Sequence, residues 1–413
     1  MTPPEQVGSG FYGLGLAPKL LAAVEHLRFT EPTPIQYKSI PLLIQGKDLI
    51  GIAQTGTGKT LAFGLPMLQR LAQVKGLGLV VLPTRELALQ VDEALRQVGA
   101  TLGLRTAVLI GGEDINRQLR ALARKPHIIT ATPGRLIDHL ERKSVNLSTV
   151  KILVLDEADR MFDMGFAPQL KIILRAVPPP SERQTMLFSA TMPDEIVKLA
   201  TAHMALPLRV EIARAGTAAE LVTQELFVVR KDAKRRLLDK LLQQYQGTVL
   251  VFCRTKFGAK AVTRAVKAMG VSAAEIHSNR SLGQRREALD GFKSGKYRVL
   301  IATDIAARGI DVIGIEVVIN FDLPSNPEDY VHRIGRTGRA GHPGRAITFA
   351  TPDQGNDVRS IEKLVRTMLP ISKLPDLPPD RAPLPYETEH ARRGYGHRPQ
   401  RSGPPHRPFR RRQ

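Results

Sequence analysis

The sequence predicts an α/β protein of two tandem domains, each built on a parallel sheet, followed by a disordered basic tail. Three observations carry that expectation. Short apolar runs alternate with helical stretches through the first half; a second series of the same kind follows a small glycine-containing segment; and the text then turns to proline, arginine and glycine without apolar periodicity. Near-continuous apolar strands, as distinct from alternating ones, suit a parallel sheet covered by helices on both faces.

Residues 11–45 read as helical segments broken at Glu31-Pro32-Thr33-Pro34, because each proline biases its predecessor away from the α region. The apolar run Leu49 to Ile52 then leads into A-Q-T-G-T-G-K-T at 53–60. Gly56 and Gly58 let backbone amides fold around phosphate oxygens, Lys59 can reach the β- and γ-phosphates, and the Thr60 hydroxyl suits Mg²⁺. The strict phosphate-loop pattern has glycine where this chain has Ala53, so the stretch alone is a variant match. A helix is expected from Lys59 to Ala72, its free amides facing the phosphates, with a kink at Pro66.

Strand-like runs follow at 77–83, 106–111, 127–132, 151–156 and 185–190, which places a first domain over 1–212. Residues 213–219, A-R-A-G-T-A-A, read as a linker. Runs at 224–229, 248–253, 272–277, 297–303, 316–321 and 345–350 predict a second domain over 220–369, this one without a glycine-rich loop. Residues 370–413 read as a disordered tail. Its last part, 381–413, sets nine arginines against two glutamates and interleaves Tyr386, Tyr395 and Phe409. Such a mix can stack on bases while guanidiniums track phosphates; a merely solubilising tail is the alternative.

The whole chain carries 60 Lys and Arg against 39 Asp and Glu, a formal charge of +21. That excess implies a polyanionic partner, nucleic acid before an acidic membrane surface, since no basic amphipathic helix stands out. A single cysteine, Cys253, excludes an internal disulfide framework and a cysteine-based zinc cluster, and its apolar setting reads as a buried small hydrophobe. No basic region followed by an apolar core opens the sequence, and no apolar run approaches the ~18–20 residues of a membrane span. A soluble, cytoplasmic monomer is expected.

A second nucleotide-site signature is D-E-A-D at 156–159, at the C-terminal end of the run K-I-L-V-L, where carboxylates of open α/β sheets meet ligands. Asp156 would hold Mg²⁺ through water and Glu157 would orient and deprotonate an attacking water. Alone, the cluster also fits the preference of helix N-termini for acidic residues.

Taken in order, these stretches and several more resemble the motif series of the DEAD-box ATP-dependent RNA helicases, from about Phe11 to Ala350. The resemblance rests on Phe11, Phe29 and P-T-P-I-Q ending at Gln36; on 53–60; on P-T-R-E-L at 83–87, Gly111-Gly112 and T-P-G-R at 132–135; and on D-E-A-D and S-A-T at 189–191. In the second half it rests on V-F-C-R-T at 251–255, A-T-D-I-A-A-R-G-I-D at 302–311 and H-R-I-G-R-T-G-R at 332–339. Ala53 is then the family's usual residue.

The resemblance implies two RecA-like domains that bind ATP and Mg²⁺ and clamp RNA. Gln36 would read the adenine edge, with a helix cap as the structural alternative, Phe11 would pack on the ring, and Phe29 would belong to the same nucleotide-binding set. Thr55, Gly56, Thr57, Gly58, Lys59 and Thr60 would hold the phosphates, with Thr60 and Asp156 on the metal. Arg336 and Arg339 would act as fingers, and Asp311 and Asp304 would bind ribose or tie the closed interface. His332, Asp159, Ser189 and Thr191 would couple the halves. RNA would lie on Thr84, Arg85, Gly112, Thr132, Gly134, Arg135 and Thr303 through sequence-tolerant backbone contacts.

Two departures stand out: Leu282 where the family commonly has glutamine in a Q-x-x-R element that keeps Arg285, and Arg28 where it usually has glycine. The implied activity is ATP-dependent clamping and local unwinding of short RNA duplexes, with release after hydrolysis. A bacterial RhlE-type member fits the compact core and short arginine-rich tail. A DNA translocase and an ATP-gated RNA scaffold are the alternatives.

Overall fold

The computed structural model describes residues 10–54, 56–212, 222–307, 312, 314–338 and 343–378. Among the residues named above, Thr55, Asp311, Arg339, the 213–219 segment and the tail beyond 378 lie outside the described residues.

Seven strands of the first half form one sheet: β1 Leu49–Ile52, β2 Leu77–Val81, β3 Thr106–Leu109, β4 Ile128–Ala131, β5 Val150–Leu155, β6 Gln184–Ser189 and β7 Leu208–Glu211. Their order is β3-β4-β2-β5-β6-β1-β7, parallel throughout. Six strands of the second half form another: β8 Val222–Val228, β9 Val249–Phe252, β10 Ala273–Ile276, β11 Val299–Ala302, β12 Val317–Asn320 and β13 Gly344–Ala350, in the order β10-β11-β9-β12-β13-β8, again parallel.

β5 shows why the runs are continuously apolar. Ile152 and Val154 enter the cluster of Phe63 and Leu95 on one face, while Leu153 and Leu155 enter that of Leu136, Met161 and Leu170 on the other. Both faces are buried, so neither parity of side chain can be polar.

The text expected to be disordered from residue 370 is ordered through 378, a correction to the predicted boundary. Leu226 N–H donates to the Pro370 carbonyl at 2.9 Å and Ser372 N–H to the Leu226 carbonyl at 2.8 Å. Arg236 holds the Leu377 and Pro378 carbonyls at 3.3 and 2.5 Å, and Leu377 packs on the second-domain core. The reason is that β8 is an edge strand whose free backbone groups take a partner regardless of side-chain pattern. Cys253 is buried as expected, and burial pushes its thiol up, away from reactivity. Among the described residues no helix is long and apolar enough to cross a membrane.

Candidate functional site

The stretch at 53–60 turns between β1 and the helix Lys59–Leu71. Gly56 and Gly58 stand at φ 83° and 86°, in the left-handed region that other L-residues enter only at a cost. Gly58 is doubly constrained, since a Cβ there would meet Gln36 Nε2 at 2.4 Å. Lys59 is buried and its Nζ donates to the Ala53 carbonyl at 3.0 Å. The Thr57 hydroxyl donates to the Gln54 carbonyl at 2.7 Å, tying the loop across its own mouth.

Asp156 and Glu157 follow β5, two strands from β1 in the sheet. Burial pushes the Asp156 carboxyl up from 3.8 to about 6, with Lys59 opposing and Glu157 and Asp159 adding to the rise. Glu157 takes φ 51° and ψ 50°, a left-handed conformation strained for this residue, and its N–H donates to Asp156 Oδ1 at 2.9 Å. Its Oε2 is buried with no hydrogen-bond partner. A strained backbone that aims an unpartnered carboxylate oxygen is the arrangement expected of a group awaiting a water or substrate. The buried Asp156 carboxylate and the Thr60 hydroxyl are hard oxygen donors and fit Mg²⁺, which takes few protein ligands beside water and phosphate oxygens.

Asp159 is bonded to the S-A-T stretch on all sides. Its carboxylate accepts from the Ala190 and Thr191 N–H groups at 3.1 and 2.9 Å and from the Thr191 hydroxyl at 3.0 Å, and its own N–H donates to Ser189 Oγ at 3.2 Å. The next residue, Arg160, crosses to the other domain, 3.5 Å from Asp329 in a buried ion pair. Arg160 of the first domain and Asp304, Asp329, His332, Arg333 and Arg336 of the second line one cleft. Sequence reasoning passed over Arg160.

Asp304 faces inward rather than across the interface. Arg333, fully buried, grips it with Nε and Nη2 at 2.5 and 2.7 Å and also holds the Asn320 side chain and Asp322 carbonyl. A direct tie between the domains is thereby corrected for Asp304: its partner lies on the helix Pro327–Ile334 of its own domain. The first arginine of H-R-I-G-R-T-G-R thus fastens the segment that presents the later ones.

Gln36 caps the helix Pro34–Ile44 through Oε1, which accepts from Thr33 N–H at 2.9 Å, and Nε2 donates to the Gly58 carbonyl at 2.9 Å. The cap alternative is realised, and the same side chain braces the phosphate loop. Phe11 is only 4% exposed and belongs to the first-domain core, whereas Phe29 is 45% exposed. A ring-packing role for Phe11 is corrected to a core role, because its faces are already covered by apolar neighbours. Arg28 has φ 60°, which explains why glycine suits the position.

The expected RNA positions fall on the other half of the first sheet. Thr84 follows β2 and caps the helix Arg85–Gly99, accepting from Leu87 N–H at 3.3 Å. Gly112 follows β3 at φ 79°, and a Cβ there would lie 2.2 Å from Arg85 Nη1, so the glycine lets the guanidinium rest on the loop. Thr132, Gly134 and Arg135 follow β4; Arg135 donates to the Glu113 carbonyl at 3.2 Å, and Gly134 has open space around it. Thr303 follows β11 in the second domain, its N–H on the Ile276 carbonyl at 3.3 Å.

Two supports were not legible beforehand. Gln118 Nε2 donates to the Ile110 carbonyl at 2.9 Å, and Gln118 Oε1 lies 3.1 Å from His139 Nε2, so the Gly111-Gly112 turn is braced from the helix that carries Arg135. Arg285 of the second domain reaches buried Glu86 at 2.9 Å. Beside it Leu282 is buried in the first-domain apolar cluster, so at the departure from glutamine this chain makes an apolar contact across the interface.

Residues 33–199 match the family described as DEAD/DEAH box helicase and residues 233–341 the Helicase conserved C-terminal domain. The chain is 45% identical over 371 residues to the DEAD-box ATP-dependent RNA helicase CshA of Geobacillus kaustophilus, covering 89% of this chain and 79% of that protein. The structure of Saccharomyces cerevisiae Dbp5 bound to RNA and ADP BeF3 agrees with a TM-score of 0.80 at 31% identity, over 89% of this chain and 96% of that one. A DEAD box protein from Methanococcus jannaschii, at 36% identity over 88% of this chain and 99% of that one, gives only 0.53. With two RecA-like domains carrying the motifs in these positions, the chain belongs to the DEAD-box family of ATP-dependent RNA helicases.

Proposed function

We propose that ATP binding closes the two domains on single-stranded RNA, that closure strains a short duplex at its edge, and that hydrolysis releases the strand. One observation carries the reading. The residues expected at ATP follow β1 and β5, those expected at RNA follow β2, β3 and β4 in the other half of the sheet, and the second domain touches both halves, through Arg160–Asp329 on one side and Glu86–Arg285 on the other. A change at either half is therefore felt at the same interface.

In this reading the loop amides of 55–60 and Lys59 hold the triphosphate, and Lys59 exchanges the Ala53 carbonyl for phosphate oxygens. Gln36 reads the adenine edge with the one lone pair and one N–H that its present bonds leave over, and Phe29 covers the base. Thr60 and Asp156 hold Mg²⁺, which when bound neutralises phosphate charge. Glu157 orients the attacking water and takes its proton. Arg336 and Arg339 meet the charge that develops on the transferred phosphoryl group, and Asp311 takes the ribose.

RNA runs over Thr84, Arg85, Gly112, Thr132, Gly134, Arg135 and Thr303, bound by its backbone with little regard to sequence. Asp159, Ser189, Thr191 and His332 relay the state of the nucleotide to that surface. The protein works as a cytoplasmic monomer of the RhlE type, residues 213–219 linking the domains and the basic tail adding RNA affinity. The deciding experiment is Glu157→Gln. ATP and RNA binding should persist while turnover falls by about 10²–10⁴-fold; unchanged multiple-turnover ATPase would sink the assignment.

A further inference from the structure

The chain has no tryptophan and thirteen phenylalanines, and the described ones are mainly core residues. Phe257 is the most exposed of them, at 73% against 45% for Phe29. It stands in the first turn of the helix Lys256–Ala268, whose N-cap Thr255 accepts from Gly258 N–H at 3.0 Å, so the ring is carried by a fixed element. The surrounding text, R-T-K-F-G-A-K at 254–260, holds three cations and no acid.

Lys256 Nζ lies 5.4 Å from the Phe257 ring centroid and also donates to Asn279 Oδ1 at 3.1 Å, on the loop that follows β10. β10 ends at Ile276, whose carbonyl receives the Thr303 N–H. The ring, Lys256, Asn279 and Thr303 therefore belong to three successive loops at the C-terminal edge of the adjacent strands β9, β11 and β10. A single exposed phenylalanine is ordinary on a protein surface. One held on a helix, with a lysine ammonium beside its ring and that lysine joined by a hydrogen bond to the loop next to an expected phosphate-contacting one, has the make-up of a base-stacking platform.

We propose that Phe257 stacks on an unpaired base of the RNA whose phosphates pass Thr303 and Lys256, adding a base contact to a strand otherwise held by its backbone. Any base offers a π face, so the contact raises affinity for single strands without reading sequence. A base still paired in a duplex keeps its face against its neighbours, so the platform favours a strand already opened there. The inference rests on the RNA-clamp reading, and its test separates the two.

The experiment uses the full chain with a non-hydrolysable ATP analogue and two fluorescent single-stranded RNAs of equal length, one ordinary and one made abasic along its length. Wild type should bind the ordinary strand more tightly. Phe257→Ala should lose about five- to one-hundred-fold on the ordinary strand and little on the abasic one, and Phe257→Tyr should restore binding. An unchanged affinity in Phe257→Ala, or an equal loss on both strands, would overturn the stacking role while leaving the clamp intact. Failure of the wild type to bind either RNA would overturn the clamp and the stacking together.

Discussion

The two domains are the same construction put to different ends. Counted within each domain the strand order agrees, β3-β4-β2-β5-β6-β1 in the first and β10-β11-β9-β12-β13-β8 in the second. Lys59 begins the helix after β1, and Lys234 begins the helix Lys234–Gln244 after β8. Asp156 follows β5, and Asp322 stands just beyond β12. In the second domain lysine and aspartate are joined: Lys234 Nζ donates to Asp322 Oδ1 at 3.1 Å and to the Phe321 carbonyl at 2.8 Å. In the first, Lys59 rests on its own loop's carbonyl, near enough to Asp156 to restrain its carboxyl, and no ion pair between them occurs among the described residues.

The residue before each lysine makes the difference. Gly58 at φ 86° turns the first loop through a left-handed bend before its helix, whereas Ala233 at φ −88° simply starts a helix. The lesson is that the fold supplies the positions, and a left-handed glycine decides whether lysine and aspartate meet each other or wait for a ligand between them.

Exchanging the paired lysines breaks that comparison most sharply. Lys59→Met should lower turnover by about 10²–10³-fold, the scale of losing one preorganised charge contact at a reacting centre, with little change in thermal stability. Lys234→Met removes the lysine from a half-buried Asp322 that still accepts from the Arg254 N–H, and should cost about 1.5–3 kcal/mol in the second domain. Calorimetry and steady-state ATPase on the folded protein would separate the outcomes; equal effects of both substitutions on turnover would remove the distinction.

A smaller effect follows from Asp156. Its folded-state pKa is raised from 3.8 to about 6, so the folded chain binds that proton more tightly than the unfolded chain does. The group therefore opposes folding progressively as pH rises from about 4 to about 6, and fully above that range. Asp156→Asn should stabilise the ligand-free protein at pH 7, and the gain should vanish by pH 4. Metal-dependent ATP affinity should instead fall as pH drops below about 6, because a ligand carboxylate must be ionised. Titrations of melting temperature and Mg-ATP affinity against pH check both signs.

The smallest effect is expected at Arg28. Relieving a left-handed backbone at φ 60° with Arg28→Gly should stabilise the first domain by about 1 kcal/mol, less the added freedom of glycine in the unfolded chain. A neutral or lower melting temperature would mean that the arginine side chain makes up the difference.

The fold was legible where burial leaves a mark on side chains. Strands such as β5 are apolar at every interior position because both faces are covered, and they were found from text alone. β7, with only Val210 buried, carries little signal, since an edge strand needs few apolar residues. Residues 370–378 were missed for a related reason, being held by backbone hydrogen bonds that no residue type announces. In the site, the motif series located the loops, yet the conformations that make them work were invisible: the left-handed Glu157, and Phe11 as core beside the exposed Phe29. Contacts across long separations, such as Gln118 with His139 and Arg285 with Glu86, leave no spacing to read.

The central claim is that closure ties ATP to RNA through one interface. The measurement that reaches it most directly is the affinity of a non-hydrolysable ATP analogue with and without single-stranded RNA, in wild type and in the pair Glu86→Gln with Arg285→Met, which removes both partners so that no buried charge is stranded. Wild type should show RNA tightening the analogue by about 5–150-fold, with the analogue tightening RNA by the same factor. The account predicts that the paired substitution shrinks this coupling while leaving analogue affinity in the absence of RNA unchanged. Undiminished coupling in the variant would contradict it.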